Sequence, residues 1–175
     1  MGLRPNAWLL ESSPECGFRR ARAAANHNRL RGLMAIPSKI ELDKLSIEGR
    51  VQYAAACPLL IKDQVPAAAK EATDQAIAIA LGGPQVTDGE ADNAAEDVLV
   101  ASGKSTNGAS RAVSRATACR AAEIRHRTAG VTVDATQAVT DFAYEAGLEA
   151  LNQDLSLEAA IRDAFKRSST ILPKQ

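Results

Sequence analysis

Apolar side chains recur at spacings of three and four along several stretches of this 175-residue chain. Val65, Ala69, Ala72, Ala76, Ile79 and Ala80 form one stripe, Val139, Phe142, Ala146 and Leu151 a second, and Leu157, Ala160, Ile161, Ala164 and Phe165 a third. That period puts each set on one face of a helix. No alternating pattern persists. Val131-Thr132-Val133 is the one β-like run and is too short to carry a sheet.

Local punctuation places the helix ends. Ser38-Lys39-Ile40-Glu41 has the form of a capping box and predicts a short helix to about Lys44. Ser46 can cap a second helix, from Ile47 to about Cys57. Pro58 is expected to break or kink it, because proline lacks an amide hydrogen and its ring meets the preceding turn. Pro66 suits the first turn of a third helix over about 65–81, which Gly82-Gly83-Pro84 ends. Thr87 or Asp88 caps a fourth through about Val100, and Gly103 is expected to stop it in a left-handed conformation. A fifth runs over 109–129, Asp134 opens a sixth, and a last one spans Leu157 to about Arg167. In that last helix the pairs Glu158/Arg162 and Asp163/Arg167 stand four apart and support the exposed face. The expectation is an all-α fold: a single-domain bundle or globule of about six to seven alanine-rich helices joined by short connections.

Composition sharpens that picture. Alanine accounts for 35 residues, against three Phe, two Tyr and one Trp. Alanine has the highest helix propensity, and its small side chain lets helix backbones approach closely. Aromatic surfaces on which bases or sugars could stack are scarce.

The formal net charge of zero hides a division. Residues 1–33 hold Arg4, Arg19, Arg20, Arg22, Arg29 and Arg31 against Glu11 and Glu15, together with Pro5, Pro14 and Gly17, and show no sustained apolar period. They read as a flexible basic extension ahead of an all-α domain over 34–175 that ends in a short tail. Three explanations compete for the extension: an arm that binds something anionic, an organelle-targeting peptide, or a stretch outside the natural protein, with translation starting at Met34 instead of Met1. No segment approaches the roughly 18 apolar residues of a membrane span. Trp8-Leu9-Leu10 is too short for the core of a secretory signal. A cytoplasmic location is expected, with no membrane partner. Cys16, Cys57 and Cys119 lie far apart without a CxxC spacing, which predicts free thiols.

Candidate chemistry is sparse. Gly103-Lys104-Ser105-Thr106 has the closing letters of a phosphate-binding loop, in which glycine-rich backbone amides and a lysine converge on phosphate oxygens. Val98 stands where the first glycine of that motif belongs, and no strand precedes it. Only His27 and His126 are available as imidazole bases, and Cys119 lies two helical turns from His126, too far for a direct hydrogen bond. Asp141 and Glu145 share a helix face but lack the Glu-x-x-His partners of a metal-carboxylate bundle. No catalytic, cofactor or metal residues are expected.

The strongest remaining signal is segregated charge. Asp88, Glu90, Asp92, Glu96 and Asp97 make the helix before Gly103 acidic, and Arg111, Arg115, Arg120, Arg125 and Arg127 make the helix after it basic. At 100° per residue Arg111, Arg115, Arg125 and His126 fall on one side. With Asp88, Asp92 and Glu96 they form the candidate partner-binding surface. The two helices are expected to pair or to present a bipolar face. The first functional expectation is a small soluble non-enzymatic interaction module, in an adaptor, inhibitor or immunity-like role, binding a protein or a second copy of itself. An alternative is nucleic-acid binding by the arginine face at 111–127, with a helix-turn-helix start near Ser110 as one form of it. A third is a small-ligand carrier or enzyme using a bundle pocket.

Overall fold

The computed structural model describes residues 36–129 and 133–171. The basic extension at 1–33, Met34, Cys16, His27 and Val131-Thr132 lie outside them.

Capping chemistry starts the first elements as expected. In α1 (Lys39–Leu42) the Ser38 hydroxyl accepts the Glu41 amide at 3.2 Å, and the Glu41 carboxylate accepts the Ser38 amide at 2.8 Å. In α2 (Ile47–Leu59) the Ser46 hydroxyl accepts the Gly49 amide at 3.0 Å. Pro58 lies inside the last turn of α2, and the helix ends one residue beyond it. The break comes slightly late because a missing amide in a final turn removes only one bond from a ladder already ending.

The third helix begins later than its apolar stripe implies. Residues Lys62–Gln64 and Ala67–Ala69 form tight 3₁₀ turns, and α3 spans Lys70–Ala80. No side chain caps that start. The turns satisfy backbone groups locally instead, as in the Ala69 amide to Pro66 carbonyl bond of 2.9 Å.

Thr87 and Glu90 form a second capping box ahead of α4 (Asp88–Ser102), with the Glu90 carboxylate accepting the Thr87 amide at 2.8 Å. Gly103 ends α4 at φ 51° and ψ −133°, positive as expected though with an extended ψ, a conformation that side-chain-bearing residues avoid. Asn107 caps α5 (Gly108–Thr128) by accepting the Ser110 amide at 3.0 Å. After α5 come α6 (Val133–Gln153) and, beyond a 3₁₀ turn at Leu155–Leu157, α7 (Glu158–Ser168). In α7, Arg162 reaches Glu41 at 3.4 Å, and Asp163 pairs with Lys166 instead of Arg167. The described residues thus hold seven α-helices and no strand, in one globule.

α5 lies at the centre. It packs against α2, α3, α4 and α6, and fourteen of its 21 residues are buried. Most of these are small: Ala109, Ala112, Ala116, Ala121 and Ala122 are almost wholly covered. At Gly108 a side-chain carbon would sit 2.8 Å from the Glu149 carbonyl oxygen, so the first turn of α5 lies directly on the α6 backbone. The main core gathers Leu42, Tyr53, Ile61, Leu151 and Ile161, while smaller clusters join α3 and α4 to α5 through Ile79, Ala91 and Ile124 and through Ala76, Val98 and Val113.

Two buried polar groups shape this core. The Arg50 guanidinium, with Arg50 only 6% exposed, donates to the carbonyls of Leu42 (3.1 Å), Asp43 (2.9 Å) and Leu45 (3.3 Å) and to the Thr140 hydroxyl (2.9 Å). Burial lowers its pKa, and the Asp43 carboxylate 3.5 Å away opposes that shift. The arginine thereby satisfies the carbonyls of the turn between α1 and α2 and ties it to α6. Tyr53 is fully buried and meets Phe165 edge to face, with ring centroids 6.2 Å apart. Its hydroxyl has no hydrogen-bond partner among the described residues and occupies the place a side chain at position 147 would need, which is why Gly147 stands there.

That contact makes a test. Tyr53→Phe removes a buried hydroxyl without a partner and should raise stability by about 1 kcal/mol. Gly147→Ala should lower it by about 1–3 kcal/mol through overpacking. Urea unfolding of the double variant should show a stability higher than the sum of the two single changes gives; strictly additive changes would contradict the contact.

Candidate interaction surface

The basic side chains of α5 leave the core where the helix meets its neighbours. Arg111 Nε lies 2.8 Å from Glu149 Oε2, close enough for an ion pair without the alignment of a hydrogen bond. Arg115 Nε lies 2.9 Å from Glu145 Oε2, and its guanidinium stands 6.0 Å from the Phe142 ring. Both partners belong to α6. Arg125 turns the other way, with Nη1 at 2.6 Å from Asp92 and 3.6 Å from Asp88, both on α4. The hydrogen bond to Asp92 holds its proton more tightly than usual. Half-buried His126 lies next to it in the last turn.

The candidate surface therefore divides between two seams. Arg111 and Arg115 tie α5 to α6, whereas Arg125, Asp88 and Asp92 tie α5 to α4. The helical wheel places these arginines within one arc because that arc spans both edges of the solvent side of α5. Glu96 faces outward from α4 with Asp97, and neither has an oppositely charged partner among the described residues. Glu71 and Asp74, exposed on α3, have none either. The neighbouring helices α3 and α4 both bury their inner faces on α5, and Val100, 70% exposed, adjoins Glu96 and Asp97 on the outer face of α4. Asp141 and Glu145 are also split, the first pairing with Lys39 at 2.5 Å and the second with Arg115.

A cluster that the charge pattern did not single out lies toward the C-terminal end of α5. Glu123 is only 2% exposed; its carboxylate accepts hydrogen bonds from Arg120 Nη1 at 2.6 Å and Arg127 Nη2 at 2.9 Å, and Arg127 Nε lies 2.5 Å from it as an ion pair. The spacing is Arg-x-x-Glu-x-x-x-Arg, so all three stand within reach on one helix. What the sequence conceals is that the glutamate is the buried member.

Open depressions mark the surface of the described residues, and three bear on the charged groups. One of about 210 Å³ includes Glu48, Gln52, Gly82, Arg120 and Arg127, and another of about 590 Å³ shares Gly82, Arg120 and Arg127 with it. The third, of about 460 Å³, carries balanced charge from Lys62, Lys70, Asp63 and Asp74. Lys104 is exposed in the 3₁₀ turn after α4, and Val98, within α4, is fully buried in helix packing. No group of three or more His, Cys, Asp or Glu side chains among the described residues could hold a metal ion. No helix among them is long and apolar enough to cross a membrane.

No protein-family model, curated protein or solved structure matches this chain.

The two described cysteines are fully buried and reduced. Cys57 donates to the Tyr53 carbonyl at 3.3 Å and Cys119 to the Val139 carbonyl at 3.5 Å. Burial pushes the Cys57 thiol up to about 12 and raises that of Cys119 as well. Both stay protonated at neutral pH, and a protonated, covered thiol is a poor nucleophile. Because each folded thiol holds its proton more tightly than an unfolded one, their contribution to stability is full at neutral pH and falls as pH rises through about 8.5 toward 12. Peptide mapping after brief treatment of the native protein with a thiol reagent at neutral pH should find Cys57 and Cys119 unmodified. Labelling of either as fast as in the urea-unfolded chain would contradict this burial.

Proposed function

We propose that the protein is a non-enzymatic interaction module, acting in the cytoplasm as an adaptor or inhibitor, that docks a basic protein surface on the outer face of α3 and α4. One observation carries this reading. The arginines of α5 have carboxylates within 3 Å, whereas Glu71, Asp74, Glu96 and Asp97 are exposed and without ion-pair partners among the described residues. On α3 and α4 these four carboxylates outnumber Lys70, the one exposed cation of those helices without an ion-pair partner among the described residues, and an excess of one sign steers an oppositely charged partner into register. Exposed Val100 beside Glu96 and Asp97 adds an apolar contact of the kind that a charged rim surrounds in protein interfaces.

Nucleic-acid binding through Arg111, Arg115 and Arg125 is the weaker reading. Each phosphate contact would have to displace a carboxylate already in place, and Glu145, Glu149 and Asp92 would lie beside the nucleic-acid backbone.

Affinity capture from the native source distinguishes the two. Wild-type protein should retain a basic partner at low ionic strength and release it at high ionic strength. The double reversal Glu96→Lys/Asp97→Lys should weaken retention by at least about tenfold, and Arg111→Gln/Arg115→Gln should not. Retention of the same partner by the reversed variant would sink the proposal. Salt-sensitive DNA or RNA binding lost in the arginine variant would favour the alternative.

A further inference from the structure

We infer that Arg120 and Arg127 form a binding site for a phosphate monoester in the groove between the C-terminal half of α5 and the loop over residues 82–87. The site lies away from the acidic outer face, so the two proposals stand or fall separately.

The cluster has the form of a prepared anion site. Glu123, almost wholly buried, binds one guanidinium through Arg120 Nη1 and the other through Arg127 Nε and Nη2. One carboxylate therefore orients two cations. Holding them before a ligand arrives removes much of the side-chain entropy cost of binding. Elsewhere on α5 each described arginine has at least one carboxylate supplied by another helix, whereas here two positive charges share one negative charge.

Donors remain on the outward edges. Arg120 Nη2 and Arg127 Nη1 have no hydrogen-bond partner among the described residues. Gly82, at φ 79°, adjoins the Arg120 edge, and a side-chain carbon there would stand 3.6 Å from Nη2. Both guanidiniums line the groove of about 590 Å³, whose other walls include Thr128 and the apolar Pro84, Val86 and Ile124. Two carboxylates are nearby. Glu90, on the wall of this groove, is engaged with the Thr87 amide and hydroxyl in its capping box, and Glu48 borders the smaller depression.

This arrangement selects its ligand by chemistry. Two guanidiniums with free edges match the several oxygens of a phosphate dianion better than the two of a carboxylate. The apolar wall accommodates the organic part of an ester. The phosphate could belong to a free small molecule or to a phosphorylated side chain, and the chemistry at the arginines is the same.

Calorimetric titration of the full chain with phenyl phosphate, and separately with a short phosphoserine peptide, tests the site. At least one should bind at millimolar concentration or below, with affinity falling as salt rises. Tighter binding of phenyl phosphate identifies a small-molecule site, and tighter binding of the peptide a phosphorylated partner. Arg127→Gln, at a half-exposed position, should lower affinity by about tenfold or more, while Arg111→Gln leaves it unchanged. Protection of Arg120 and Arg127 from phenylglyoxal by the bound phosphate gives a second readout in the unaltered protein. Failure of wild type to bind either probe, or equal binding by Arg127→Gln, overturns the inference.

Discussion

Close approach to a single central helix is the constraint on which the rest of this structure depends. Four helices pack on α5, and that is feasible because its buried positions are mostly alanine, with Gly108 where α6 comes nearest. Large side chains on α5 would hold the surrounding helices further apart, and the small seam would no longer be filled by direct backbone approach. A helix enclosed in this way has little freely exposed surface. Its arginines must emerge along seams, where acidic residues of α4 and α6 meet them.

The ion pairs that result are not all of one kind. Those of Arg111, Arg115 and Arg125 are partly exposed, and each adds roughly 0 to 1 kcal/mol. Arg50 and Glu123 are different, because each is buried and would be costly to leave unpaired. Arg50 resolves the carbonyls of a tight turn, whereas Glu123 orders two cations that remain accessible. The same physical expense serves the fold in one case and holds donors toward a groove in the other.

This division of charge links the fold to the functional proposals. Basic groups are mostly taken up by internal pairing, so a helix that looks basic in isolation contributes little free positive surface. The acidic helices retain unpaired carboxylates on their outer faces. Pairing therefore removes most of the positive charge that the sequence assigns to α5, whereas α4 stays acidic in both. The Arg120–Glu123–Arg127 cluster is the local exception, because one buried carboxylate is shared by two guanidiniums.

The sequence by itself determined where most helices begin and end. Ser38, Ser46 and Thr87 act on amides within three residues of themselves, and Gly103 alters its own backbone, so these signals need no partner elsewhere in the chain. The start of α3 was hidden because its 3₁₀ turns carry no side-chain cap. Only the tertiary structure decided which arginine meets which carboxylate, which glutamate is buried, and that Arg50 closes the α1–α2 turn against Thr140. Those outcomes depend on residues far apart in sequence becoming neighbours around α5, where burial alters the cost of leaving a charge or a carbonyl unpaired.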